Sequence, residues 1–177
     1  MKMSAHDYPQ VYSSLGIDLT TLGVLMLDTA SPLREDLPSE AEYISPDPAK
    51  FWVHGALDNW HVTALYGFLP DVRQEHVKAI LADVKMPTML NIDEIEVFDS
   101  PYEGEPYDCV VATVESKKLR ELNAALTMLP HVNTFVPYKP HITPGYFARG
   151  WAKDNKKKIK TWDMVPTLGY NFGSMAE

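Results

Sequence analysis

The chain is predicted to fold as an α+β domain of two similar lobes, each a set of antiparallel strands packed with a helix, with an active-site cleft between them. Strand-like and helix-like stretches follow one another as strand, long loop, strand, helix, strand, strand, helix, strand, strand. Each helical stretch comes after a strand or a hairpin, so it can return over the sheet it left. Two of the strands also carry the same short pattern, His61-Val62-Thr63 and His141-Ile142-Thr143, so the halves of the chain echo each other.

The first strand is expected over Leu19–Asp28, where Leu22, Val24 and Met26 alternate with Gly23, Leu25 and Leu27, a pattern buried on both faces. Residues 30–59 hold Pro32, Pro38, Pro46 and Pro48 among many acids and keep neither period, so a long connection is expected there, with a short helix near Pro48–Val53. Trp60–Phe68 is the second strand. Strict alternation puts Trp60, Val62, Ala64, Tyr66 and Phe68 on one face and His61, Thr63, Leu65 and Gly67 on the other.

Pro70-Asp71 opens a helix, with Asp71 and Gln74 spaced as a capping box and Val77, Ile80, Leu81 and Val84 as its apolar stripe. His76 is read as a surface residue on the far side. Pro87 stops the helix, and Ile92–Phe98 and Tyr107–Val114 form a hairpin across the Pro- and Gly-rich segment 100–106. Ser116 caps a second helix with the stripe Leu119, Leu122, Leu126 and Leu129, closed by Pro130. Tyr138–Phe147 is the strand of the second motif, with Lys139, His141, Thr143 and Gly145 on one face. Met164–Phe172 is a closing strand despite Pro166.

With 177 residues and 45 % hydrophobic content, residues 1–177 are expected to make one domain with a proper core. No run of 18 apolar residues occurs and the start, Met-Lys-Met-Ser-Ala-His-Asp, lacks the apolar segment of a signal peptide. No membrane association and a cytoplasmic location are therefore expected. The single cysteine, Cys109, sits in an apolar run and is read as a small buried hydrophobe. A net charge of −8 argues against long nucleic acid as a partner. Lys153, Lys156, Lys157, Lys158 and Lys160 nevertheless cluster late, which leaves room for a small anionic ligand.

The two His-x-Thr segments point to phosphodiester chemistry. Breaking a phosphodiester needs a base for the attacking oxygen, an acid for the leaving oxygen and donors for the charged non-bridging oxygens. Imidazole, with an ordinary pKa of about 6.5, supplies both proton roles near neutral pH. In a strand, His and Thr two apart share a face, so His61 with Thr63 and His141 with Thr143 present an acid/base group and a hydroxyl together. Lys139, one pleat away, adds a positive charge. Zinc would want a third ligand, and no His-x-His, His-x-x-x-His or Asp-rich cluster lies near either motif, so no metal and no cofactor is expected. Tyr12, Tyr138, Trp151 and Trp162 lie outside the apolar stripes and are the candidates for stacking on a base. The segment Trp151–Lys160 has the composition of a lid with phosphate-facing lysines.

Trp60-His61-Val62-Thr63-Ala64-Leu65-Tyr66-Gly67-Phe68 and Tyr138-Lys139-Pro140-His141-Ile142-Thr143 resemble the paired His-hydrophobic-Thr/Ser motifs of the 2H phosphoesterase superfamily, over a span of roughly 19–172. The resemblance implies a two-lobed fold with His61 and His141 as acid and base and Thr63 and Thr143 as phosphate-oxygen donors. Leu15-Gly16-Ile17-Asp18, Met26-Leu27-Asp28 and Leu65-Tyr66-Gly67 look most like the phage anti-CBASS phosphodiesterases, which degrade cyclic di- and trinucleotide immune signals. That implies a small cyclic nucleotide as ligand, attack by a ribose 2′-hydroxyl on its 3′-5′ phosphate, and action in the host cytoplasm. The alternatives are a 2′,3′-cyclic nucleotide phosphodiesterase or 2′-5′ RNA-ligase-like enzyme acting on RNA ends, and a non-catalytic nucleotide sponge. Pro144, directly after the second Thr, departs from the superfamily pattern. Since Pro cannot donate to a ladder, the strand is expected to be bulged or at an edge there.

Overall fold

The computed structural model describes residues 16, 21–30, 60–98, 107–132, 137–159 and 163–174. The expected connection at 30–59, with its short helix, lies almost wholly outside them. The strands are β1 (Gly23–Thr29), β2 (His61–Phe68), β3 (Met89–Phe98), β4 (Tyr107–Glu115), β5 (His141–Ala148) and β6 (Met164–Ser174). The helices are α1 (Gln74–Asp83), α2 (Lys117–Leu126) and the short α3 (Trp151–Asn155), which runs into a 3₁₀ turn at Lys156–Lys158. The six strands, α1 and α2 lie within a few residues of the sequence expectation, whereas α3 and the 3₁₀ turn were not expected as helix. No helix among the described residues is long and apolar enough to cross a membrane.

The strands are joined side by side in the order β1-β2-β5-β4-β3-β6 and close on themselves. Every pairing is antiparallel, including the expected β3–β4 hairpin. Outward from the β2–β5 seam, β2, β1 and β6 on one side answer β5, β4 and β3 on the other. These are the two lobes. The joints between them are short: β2 and β5 are in register only at Val62 and Ile142, and β3 meets β6 over Met89–Asn91.

One face of this sheet carries the helices. Leu25, Leu27, Val62, Ala64, Ile142, Ala112 and Val114 are buried there against Val77 of α1 and Leu119, Leu122 and Leu126 of α2. Complete burial of one such Leu is worth roughly 1.5–3 kcal/mol, so the α2 stripe alone anchors its helix. A second cluster, Val110, Phe147, Ala152 and Ile159, fastens α3 and the 3₁₀ turn to the β4–β5 lobe.

Helix starts show where spacing sufficed and where it did not. Ser116 caps α2 as expected, its Oγ accepting from Leu119 N at 3.2 Å. The cap of α1, expected at Asp71, lies at Arg73, whose backbone N–H donates to His76 Nδ1 at 3.0 Å. His76, read as a plain surface residue, thus closes the first turn of α1, because its ring nitrogen reaches back to the amide that the helix leaves unpaired.

Candidate active site

Both motif strands bend at the same place. Along β2, Met26 faces Thr63 but Leu25 faces Leu65, so Ala64 is an extra residue in the ladder with β1. Along β5, Ala112 faces Ile142 but Val110 faces Gly145, which leaves an extra residue after Thr143. The bulge expected from Pro144 is therefore present, and it has a twin at Ala64. A bulge strengthens twist and bends its strand. Here it lets β2 and β5 touch at one residue pair and then part, opening the cleft.

The bulges also change which side chains look into it. Past an extra residue the alternation reverses, so Tyr66 and Tyr146, not Leu65 and Gly145, continue the His-x-Thr face. Leu65 joins Leu25 in the core instead. Burial along the two strands runs in parallel over seven positions: His61, Thr63 and Tyr66, like His141, Thr143 and Tyr146, are half-buried and the residues between them are buried. Strict alternation missed the two tyrosines, although the repeated His-x-Thr-x-x-Tyr spacing was present to be read.

At the seam, Val62 and Ile142 are Cα partners and both are fully buried on the helix-bearing face. In antiparallel register this sets His61 across from Thr143 and His141 across from Thr63, all four on the opposite face. His141 Nδ1 lies 2.8 Å from the backbone oxygen of Lys139. A carbonyl only accepts, so Nδ1 carries the hydrogen and Nε2 of the neutral ring keeps its lone pair. Burial lowers the His141 pKa below the ordinary imidazole value; the bond to Lys139 O raises it, and the charges of His61 and Lys139 lower it further. The ring of Phe98 meets that of His141 edge to face, centroids 4.6 Å apart.

The strand ends that part at the cleft leave backbone carbonyls to be satisfied otherwise. Tyr138 Oη donates to Thr63 O at 2.8 Å and Asn123 Nδ2 of α2 donates to Ala64 O at 2.7 Å. Below the second motif, Cys109 is held against Thr143 and Tyr146 by side-chain hydrogen bonds, while burial pushes its thiol up to about 11. Burial likewise raises the Tyr146 pKa, helped by Cys109.

The other sequence candidates are placed differently. Lys139 is ion-paired with Glu96 and stands 5.3 Å from the Phe98 ring centroid, at the rim beside His141. That pair lowers the Glu96 pKa, with Lys156 of the 3₁₀ turn contributing. Tyr138 is a half-buried brace packed on the core, its hydroxyl committed to Thr63. Trp151 is stacked on Phe147, centroids 4.0 Å apart, on the α3 side of the sheet, so the structure does not bring it to the histidines. Nor does 151–159 hang free as a lid expects: Ala152 and Ile159 are buried, while its lysines and Asp154 are exposed. Tyr12 and Trp162 lie outside the described residues. Among those residues no cluster of three or more His, Cys, Asp or Glu is placed to hold a metal ion.

No family model and no curated protein matches the chain. Among solved structures it is similar to Usb1 of Kluyveromyces marxianus, with a TM-score of 0.50 and 6 % identity, covering 89 % of this chain and 96 % of that chain. The structure of Kluyveromyces marxianus Usb1 with uridine monophosphate gives a TM-score of 0.43 and 7 % identity, over 79 % of this chain and 78 % of that chain. The first likeness is one of fold, and the expected two-lobed α+β architecture is the one observed.

Proposed function

We propose that the protein is a phosphodiesterase that works by two-histidine acid/base catalysis without a metal, and that its substrates are cyclic di- and trinucleotides. The observation that carries the reading is the meeting of the two motifs at Val62–Ile142, which gathers two imidazoles and two hydroxyls on one face of the cleft. A ribose 2′-hydroxyl attacks the adjacent 3′-5′ phosphate. His141, neutral and with Nε2 unprotonated, takes the 2′-hydroxyl proton. The P–O5′ bond breaks and His61, as the imidazolium, protonates the departing O5′, leaving a 2′,3′-cyclic phosphate. Thr63 and Thr143 donate to the non-bridging oxygens, where charge grows in the transition state. Lys139 adds a positive charge at the rim, and Tyr12 is proposed as a stacking platform.

A small, closed ligand is favoured over long RNA by the net charge of −8. The resemblance to anti-CBASS phosphodiesterases adds the biological role, removal of cyclic-nucleotide immune signals by a phage. To test the reading, cyclic dinucleotides, cyclic trinucleotides, 2′,3′-cyclic mononucleotides and RNA with a 3′ end are incubated with the protein in EDTA, and products followed by mass. Opening of the cyclic oligonucleotides is expected. Turnover confined to RNA ends or 2′,3′-cyclic mononucleotides would move the assignment to an RNA-end enzyme, loss of turnover in EDTA would end the metal-free mechanism, and bound but intact ligand would mean a sponge.

A further inference from the structure

On the β1–β6 flank of the cleft, Asp28 is the Cα partner of His61 and so shares its face. The inter-strand spacing of about 4.8 Å puts β1 roughly 7 Å and β6 roughly 12 Å from the β2–β5 seam. A nucleoside attached to a phosphate at the seam spans that distance. Asn171 of β6 donates from Nδ2 to both carboxylate oxygens of Asp28, at 2.9 and 2.7 Å. Since a carboxylate only accepts, the amide nitrogen must face it, and Asn171 Oδ1 points elsewhere as a second acceptor. Asp28 keeps its remaining lone pairs.

Two further features leave this pair open to a ligand. Opposite Asp28 on β6 stands Gly169, and a Cβ built there would meet nothing within 4 Å. Beside it, Leu168 sits at an irregularity of the β1–β6 ladder and is 70 % exposed, an apolar surface next to the notch. The twofold-related position in the other lobe is closed. Thr113, the Cα partner of His141, is 5 % exposed, and its hydroxyl is spent on the backbone N–H and C=O of Glu94. Among the described residues, the β1–β6 flank therefore offers two acceptors fixed by one another's hydrogen bonds, Asp28 and Asn171 Oδ1, beside an acid/base group.

We infer that Asp28, oriented by Asn171 over the Gly169 notch, reads the base of the bound nucleotide, and that it selects guanine. A row of acceptors with negative charge repels phosphate and matches a base edge that presents two adjacent donors. Guanine, with N1–H beside its N2 amino group, has that edge; adenine presents a single amino group beside an acceptor, and hypoxanthine lacks the amine. The inference rests on the proposed nucleotide site but not on its chemistry.

Equilibrium binding of 5′-GMP, 5′-IMP and 5′-AMP to the full chain tests it separately from turnover. GMP is expected to bind tightest, by on the order of tenfold or more over AMP, the scale of one good bidentate base contact. Asp28→Asn, which can still pair with Asn171, should remove most of that advantage, and Gly169→Val, which fills the notch, should weaken GMP while circular dichroism stays native. Equal binding of the three nucleotides by the wild type would overturn the inference, as would an equal loss for all three in Asp28→Asn. A guanine preference in a protein that cleaves none of the substrates above would keep the inference and sink the phosphodiesterase reading.

Discussion

Val62 and Ile142 face each other across the seam between β2 and β5, the one position at which these strands are in register, and both side chains are completely buried. The spacer of each His-x-Thr motif is thus the point at which β2 and β5 join the lobes. Everything polar in the two motifs is turned the other way. The pair lies on the local twofold of the domain, so the arrangement of one motif is repeated by the other.

The histidines should be individually indispensable. His61→Ala and His141→Ala are each expected to slow single-turnover cleavage by about 10²- to 10⁴-fold, the usual yield of a general acid or base, with ligand binding kept. Single-turnover rates at saturating substrate check this, and a wild-type rate in either variant would refute the two-histidine mechanism.

Thr63→Val and Thr143→Val remove a hydroxyl while keeping the branched shape. A fall in kcat of about 10²-fold is expected for each, the scale seen when one donor to a developing oxyanion is removed, with little change in KM. If the loss falls on KM alone, the hydroxyls bind the ground state and do not stabilise the transition state.

The base is expected to remain unprotonated into mild acid. Burial holds the folded-state pKa of His141 below the ordinary value of 6.5, so the acidic limb of kcat/KM should lie below that pH. Lys139→Met deletes a nearby positive charge that disfavours the imidazolium, so the limb should move to higher pH. A limb that moves down, or stays in place, would show that Lys139 does not act on His141. The sign for stability follows from the same shift. A depressed folded-state pKa contributes stability above the unfolded value, and that stability is lost as the pH falls from there through the folded-state pKa. His141→Gln should flatten the decline.

The cleft depends on carbonyls satisfied from outside the ladder. Tyr138→Phe and Asn123→Ala leave Thr63 O and Ala64 O without their donors. Each should cost about 1–3 kcal/mol in urea unfolding, with the m-value unchanged. Tyr138→Phe should also slow turnover, because the carbonyl it holds belongs to Thr63, the proposed phosphate-oxygen donor; a variant with full stability and full rate would show that the brace is dispensable.

Gly67 has φ +103°, and a Cβ there would come within 2.8 Å of the backbone oxygen of Val132. Gly67→Ala combines a left-handed conformation with a clash against backbone, so a loss of more than about 1 kcal/mol is expected in the same unfolding measurement. An unchanged midpoint would mean that the segment after α2 relaxes freely.

Much of this molecule was legible before folding was considered. The order of elements, the core stripes Leu119, Leu122 and Leu126, the Ser116 cap and the two His-x-Thr strands all depend on local spacing, and local spacing is what a one-dimensional pattern records. Pro144 announced its own bulge, because a missing N–H is a property of the residue itself. The bulge at Ala64 left no such mark, and with it went the placement of Tyr66. Trp151 shows a related effect: an aromatic outside a periodic stripe can find a partner from a strand, as it does in Phe147. Likewise Asp28 met His61 and Asn171 only through cross-strand register. Chemistry carried within a strand could be read from the chain, whereas neighbours across strands were decided by register and by bulges, which are properties of the closed sheet.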